Sequence, residues 1–472
     1  MRLYVLYAFV AFLVIYARKD WFVSLCGLML ITATQGHPDI PRQIWGIAGM
    51  NWWNVAFIGI FVSWLKHRSL QQASLDVPRW ARSLFLAYMA MLVLAWLHGL
   101  LGLPRMGRTL RFYFLDDLVN PIRWVLPAVM LFDGARTRNR MTAALIFALI
   151  IPTYYGYKVS RTAPMSNLTA GGYDTRARWR IGKQVGMHAN SISMTCATGF
   201  WAAWALGSTR RNKWRFPMIA LMLTFCFLGV GLCQSRAGYW AMLGVGGLFA
   251  VFLYRYLFLT FPIMLALIPI YFPGLMSRFS LGTNIETASG EVIEDEDVKS
   301  AGRSLFWPII IEDIWTSPVL GHGRRAILAR PTRGQISAAI GLCPEHPHNA
   351  YLEQLHDGGI VTLAITLTLF LSAMGIGMRL CLDRSDPLYR AVGGACLAAV
   401  ATLMIMSYSG QSLFPKENNQ ITWYFMALAL RAWVERAKGP MAFADGSQQG
   451  MPFYGTPHRA PQNQLPFSPP CR

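Results

Sequence analysis

A chain of 472 residues that is 54% hydrophobic and only 14% charged is not a string of soluble domains, which carry about a quarter charged residues. Its bulky apolar residues exclude a disordered chain, and eight cysteines, most of them inside apolar runs, exclude a disulfide-stapled module. The formal net charge of +20 would suit nucleic acid, but the charge gathers in connectors between apolar stretches, the pattern of a polytopic helical membrane protein.

The N-terminal stretch has no small-residue cleavage site and runs straight into a second apolar segment, so it is expected to be a retained span. Candidate spans follow near 3–17, 20–34, 51–65, 83–103, 120–133, 139–157, 186–206, 217–233, 237–254, 256–272, 358–380, 389–409 and 420–434. The fold expected is all-α, with about 12–13 transmembrane helices and one large periplasmic loop containing short helices. Basic clusters fall on alternate connectors: Lys66, Arg68, Arg79 and Arg82; Arg136, Arg138 and Arg140; Arg210, Arg211, Lys213 and Arg215; Arg379, Arg384 and Arg390. One assignment makes all of them cytoplasmic, and Arg431, Arg436 and Lys438 then place the C-terminus inside.

The opposite face is rich in arginine rather than lysine, including Arg105, Arg161, Arg178, Arg236, Arg303 and Arg324. Guanidinium groups grip phosphate and carboxylate bidentately, so this face points to an anionic substrate, against the alternative of a plain solvated surface balanced by the acidic run 294–297. Four regions result: a transmembrane bundle over 1–272, the loop 273–357, further spans over 358–436 and a flexible Pro-rich cytoplasmic tail over 437–472. Within the loop, Leu305, Phe306, Ile309, Ile310 and Trp315 can form the apolar face of a short helix. A second short helix is expected ahead of the span at 358. His346 and His348 lie where the loop returns to the membrane. They are open to three roles: metal ligation, capping of the helix that starts near Asn349, or work on a substrate. No H-E-x-x-H is present and carboxylates around the pair are scattered, so no metal site and no cofactor are expected.

Four pieces together resemble the bacterial O-antigen ligase and polymerase superfamily. They are Gln234-Ser235-Arg236-Ala237-Gly238 at a span mouth; Gly302-Arg303 followed by Trp307, Pro318 and Gly321-His322-Gly323; His348-Asn349-Ala350-Tyr351-Leu352-Glu353 with Gly358-Gly359; and the weaker Gly186-Met187-His188-Ala189-Asn190. The resemblance covers about 180 to 435. It implies a metal-independent glycosyltransferase of the bacterial inner membrane, with its active site facing the periplasm. The donor would be a glycan on undecaprenyl diphosphate. The acceptor would be lipid A–core or protein for a ligase, or the next repeat unit for a polymerase of O-antigen or exopolysaccharide. Membrane lipids and envelope polysaccharide assembly proteins would be its partners, and nucleic acid would not. The resemblance puts Arg236 and Arg303 on the diphosphate and His348 at the acceptor hydroxyl, with Asn190, His346 and Asn349 as further substrate contacts. The residue types suit that chemistry, because guanidinium groups can absorb leaving-group charge and an imidazole can take the hydroxyl proton. His346 creates an H-P-H sequence that leaves open which imidazole acts. A flippase for the same lipid-linked sugars is the alternative from another class, but transporters bind near mid-bilayer through paired half-repeats, which the sequence does not display.

Overall fold

A computed structural model of the chain describes residues 2–41, 43–44, 46–47, 49–71, 75–169, 175–208, 216–279, 285–286, 292–293, 303–340, 343–410 and 412–438. Its helices of nine residues or more, among the described residues, begin with α1 (Arg2–Tyr16), α2 (Trp21–Thr32), α3 (Trp52–Gln71), α4 (Arg79–Gly99), α5 (Asn120–Gly134) and α6 (Arg138–Thr162). Next come α7 (Thr175–Val185), α8 (Ala189–Ser208), α9 (Phe216–Leu232), α10 (Arg236–Phe252) and α11 (Leu257–Tyr271). The last are α12 (Arg303–Ile314), α13 (Thr332–Ile340), α14 (Ala350–Leu382), α15 (Pro387–Ser407) and α16 (Gln420–Ala437). The fold is all-α; the described strands are one two-residue antiparallel pair, Ile285–Glu286 against Val292–Ile293. The acidic run 294–297, Gly302, the basic cluster at 210–215 and the tail from 439 lie outside the described residues.

Every expected span falls on a helix. Among the described residues, four helices are long and apolar enough to cross a membrane: α4 with its continuation to Met106, α6, α14 and α15. The pair formed by α11 and Pro273–Phe279, bent by 98°, gives a fifth, and α1, α2, α9 and α10 are apolar but shorter.

The local differences have physical causes. The short helix expected ahead of the span at 358 is present: α14 consists of two helical stretches that meet at a non-helical Gly359 (φ 67°, ψ −171°). That left-handed conformation suits glycine, and a side chain there would run into the Val319 carbonyl. In α12 the buried face is Phe306, Ile310 and Ile314, at helical spacing, while Leu305 and Trp315 are exposed. Trp315 lies beyond the end of the helix and drops off that face. The amphipathic α7 falls in a segment expected to be loop.

The centre is α15, whose run Ala391-Val392-Gly393-Gly394-Ala395 is buried on every side. It packs on α8, α10, α14 and α16. Small residues permit this: Gly393 lies against the Gly377 backbone of α14, where a methyl group would clash.

At the end of the bundle where α14 and α16 finish and α15 starts, ion pairs tie the connectors together. Arg138 meets Asp386 at 2.7 Å, Arg140 meets Asp20 at 2.9 Å and Arg68 meets Asp133 at 2.6 Å. The buried Arg431 holds both oxygens of Asp76, at 2.8 and 2.9 Å, and Glu435 at 2.9 Å. Several of the basic clusters expected to share a side therefore do share one end. Asp20 and Asp386 also cap α2 and α15, which satisfies helix N–H groups that have no partner within the helix.

Candidate functional site

The same helices present their other termini at the opposite end, where the sequence motifs meet. Ser235 caps α10, its Oγ accepting from Gly238 N at 3.3 Å, so Arg236 opens the helix at its mouth. Gly238 is needed because a Cβ there would strike Ser193 Oγ of α8. Just before them Gln234 sits at φ 48°. Its carbonyl accepts from Arg178 at 2.8 Å and from Arg278 at 3.2 Å. Arg178, from α7, also donates to Asn190 Oδ1 at 2.8 Å, and Asn190 N donates to His188 Nδ1 at 3.2 Å.

The cap of α14 is Asn349, whose Oδ1 accepts from Tyr351 N at 2.9 Å and Leu352 N at 3.3 Å. Capping therefore falls to Asn349 and leaves His348 to the cleft, while the buried Asn349 carboxamide oxygen is already engaged by the helix. His348 is held at φ 55°, a conformation uncommon outside glycine that persists only where surroundings enforce it. Those surroundings are visible. The ring centroids of His346 and His348 are 4.1 Å apart, and His348 N donates to His346 Nδ1 at 3.2 Å. Trp307 Nε1 donates to Pro347 O at 2.8 Å, so this tryptophan holds the H-P-H segment in place; Trp240 and Trp315 are exposed. Residues 408–410 and 412–419 form a strap between α15 and α16. Gly410 lies against His348, and Ser409 accepts from Arg303 through its hydroxyl (3.4 Å) and carbonyl (3.5 Å).

Positive charge dominates this cleft. Burial, then the charge of Arg236, lowers the affinity of Arg303 for its proton. His348 keeps an open edge to solvent, yet burial, then His346, Arg303 and His188, hold it well below the usual imidazole value, at about 4. Burial, then Arg178 and His346, likewise lowers His188. His346 is lowered chiefly by burial, against the pull of Glu353, and Lys416 of the strap adds to the lowering. Neutral imidazoles beside fixed guanidinium groups suit a polyanion beside a hydroxyl that must lose a proton.

Of the residues expected at the site, Asn190, Arg236, Arg303, His346, His348 and Asn349 come to this one end. Sequence reasoning missed Arg178 as a partner of Asn190, and His188 and Lys416 as electrostatic neighbours of the imidazoles. His188 had a signal, since it stands inside the Gly186–Asn190 motif; Lys416 had none. It also missed the support beneath. Arg324 is buried, with its guanidinium 3.8 Å from the Phe414 ring of the strap. It pairs with Glu353 (2.8 Å), Asp357 (2.8 Å) and Asp117 (3.3 Å). This fastens the first turns of α14 to the strap and to the segment after α4.

A third cluster, distinct from both, joins Asp313, His322 and His356, whose candidate ligand atoms lie within 4.8 Å of one another. Residues 9 and 34 apart show no local ligand spacing, so the sequence could not announce it.

A helical, multi-pass membrane protein with an arginine- and imidazole-lined cleft at one end of its bundle is the class that fold and site define. Residues 218–367 match the family model described as O-antigen ligase, a segment that contains Arg236, Arg303, His346 and His348. That match supports a membrane protein of the O-antigen ligase and polymerase superfamily and, at a coarse level, a glycosyltransferase-like enzyme. No curated protein matches the chain.

Proposed function

We propose that the protein transfers a glycan from undecaprenyl diphosphate to an acceptor hydroxyl, at the periplasmic face of a bacterial inner membrane, with no metal in the reaction. The observation that carries this reading is the meeting of Arg236, Arg303 and His348, from three distant stretches of chain, around one cationic cleft. The acceptor oxygen attacks the anomeric carbon and the carbon–oxygen bond to the diphosphate breaks. The leaving undecaprenyl diphosphate takes the electron pair, and its added charge falls on Arg236 and Arg303. His348 takes the hydroxyl proton. Arg178, at Gln234 and Asn190, adds charge at the edge of the cleft. The same chemistry serves a repeat-unit polymerase. A deletion strain that accumulates single lipid-linked repeats indicates polymerase, and one that accumulates unattached polymer indicates ligase.

The test is transfer between labelled donor and acceptor by the purified protein. His348→Ala should lower turnover by about 10²–10⁴ while leaving donor binding largely intact, and His346→Ala should lower it less. Arg236→Lys and Arg303→Lys should each impair transfer severely, because lysine keeps charge but loses the bidentate fork. Full activity in both histidine variants would remove imidazole catalysis. Turnover at 25 °C should persist under a chelator; loss restored by Mg²⁺ or Mn²⁺ would overturn the metal-free transfer. Sidedness is tested at Cys343, which is exposed and beside the H-P-H segment: an impermeant maleimide should reach it from the periplasm.

A further inference from the structure

We propose that Asp313, His322 and His356 form a binding site for a transition-metal dication of the zinc class, fastening α12 and the 321–323 turn to the first turns of α14. His356 is 1% exposed, and its Nε2 lies 2.8 Å from Asp313 Oδ2. His322 Nε2 lies 3.0 Å from the Asp313 main-chain oxygen and 3.1 Å from Thr316 Oγ1. The two imidazole centroids are 5.5 Å apart with their planes at 73°. Two imidazoles and one carboxylate are a donor set that suits zinc and its neighbours in the first transition row, with a fourth position for water or the Thr316 hydroxyl.

The surroundings hold the carboxylate as a ligand shell would. Arg330 Nη2 grips Asp313 Oδ1 at 2.7 Å from one side. Oδ2 is left facing His356, steadied by Thr332 Oγ1 at 2.6 Å. Such second-sphere bonds orient a ligating carboxylate. Without an ion, both Nε2 atoms carry a proton, one donated to Oδ2 and the other to the Asp313 carbonyl. Binding shifts each proton to Nδ1 of its own ring and leaves the two Nε2 lone pairs to the cation. His356 comes eight positions after His348, roughly 12 Å along α14 at helical rise, so the ion is structural and stands apart from the transfer chemistry.

The experiment uses the full-length protein in lipid nanodiscs, stripped with EDTA, incubated with Zn²⁺ or Co²⁺ and desalted. About one ion per chain should remain, Co²⁺ should give the visible absorption of a nitrogen- and oxygen-ligated site, and Zn²⁺ should raise the melting temperature. His322→Ala, at a half-buried position tolerant of change, should lose the retained ion and the thermal shift. Arg330→Ala should weaken affinity by about 10–100-fold. No retained ion in the wild type, equal retention in His322→Ala, or loss that follows His346→Ala instead would each overturn the site. None of these readouts depends on transfer, so the two proposals fail separately.

Discussion

Arginine is used in opposite ways at the two ends of the bundle. At one end Arg431 is fully buried, its guanidinium 3.9 Å from the Phe132 ring and bonded to Asp76 and Glu435. Burial pushes Asp76 up, but hydrogen bonds from Arg431 and Lys438 outweigh it and hold the carboxyl well below its usual range. At the other end Arg303 is half-buried and its hydrogen bonds go to the neutral Ser409. Its electrostatic neighbours include Arg236, Tyr408 and His348. Charge that is matched inside the protein holds the fold. In the proposed transfer, the charge of Arg303 is the part that meets the donor's diphosphate.

The largest expected effect sharpens that contrast. Arg431→Leu leaves Asp76 and Glu435 without their buried partner and should cost about 3–5 kcal/mol of stability. Arg303→Leu should leave the melting temperature unchanged or raised while abolishing transfer. Equal destabilisation of the two variants, measured by thermal unfolding in the same detergent, would break the comparison.

Acid separates the ends next. The folded-state value of His348, about 4, lies below an unfolded value of about 6.5. Its contribution is complete above pH 6.5 and is lost as pH falls towards 4, because the unfolded chain takes up the proton first. Asp76 also has a depressed folded value, but its contribution is lost only as pH falls below about 4. Cleft loosening, followed by hydrogen exchange, should therefore precede melting of the ion-paired end on acidification.

The pH dependence of rate should show the same field. The acid limb of kcat/KM, which reports the free enzyme, should lie near 4, the value for His348. A bound diphosphate reverses the local field, so the limb of kcat should lie higher and His348 should become a better base once the donor is present. Arg303→Gln should move the titration of His348, followed by its ring-proton NMR signals, upward towards 6.5; a titration that stays put would detach Arg303 from His348. The smallest effect expected is at Asn349. Asn349→Ala should cost about 1 kcal/mol through loss of the α14 cap, and Asn349→Ser, which can cap, should recover most of it in thermal unfolding.

What the sequence could announce was local. Hydrophobic runs and alternating basic connectors gave the helices and grouped the connectors, and short motifs named Arg236, Arg303 and His348. Each motif turns out to mix support with chemistry. Ser235 and Gly238 seat α10, Asn349 caps α14, and Arg236 and His348 stand next to those seats at the same end of the bundle. The break at Gly359 within α14 was legible, because a Gly-Gly pair reads as a helix end. Arg324 with Asp117, and Asp313 with His322 and His356, are associations across long stretches of chain. No periodicity or spacing encodes which of many charged residues the fold will bring together.

The strap between α15 and α16 also fixes when the site comes into being. Arg303 reaches Ser409, His348 rests on Gly410, and Arg324 stacks on Phe414. Synthesis runs from the N-terminus, so Arg236, Arg303, His346 and His348 leave the ribosome before the surface that holds them. A chain stopped after α14 would contain both arginines and both histidines and still lack a cleft, and the nascent enzyme stays inactive until its last two helices are in the membrane.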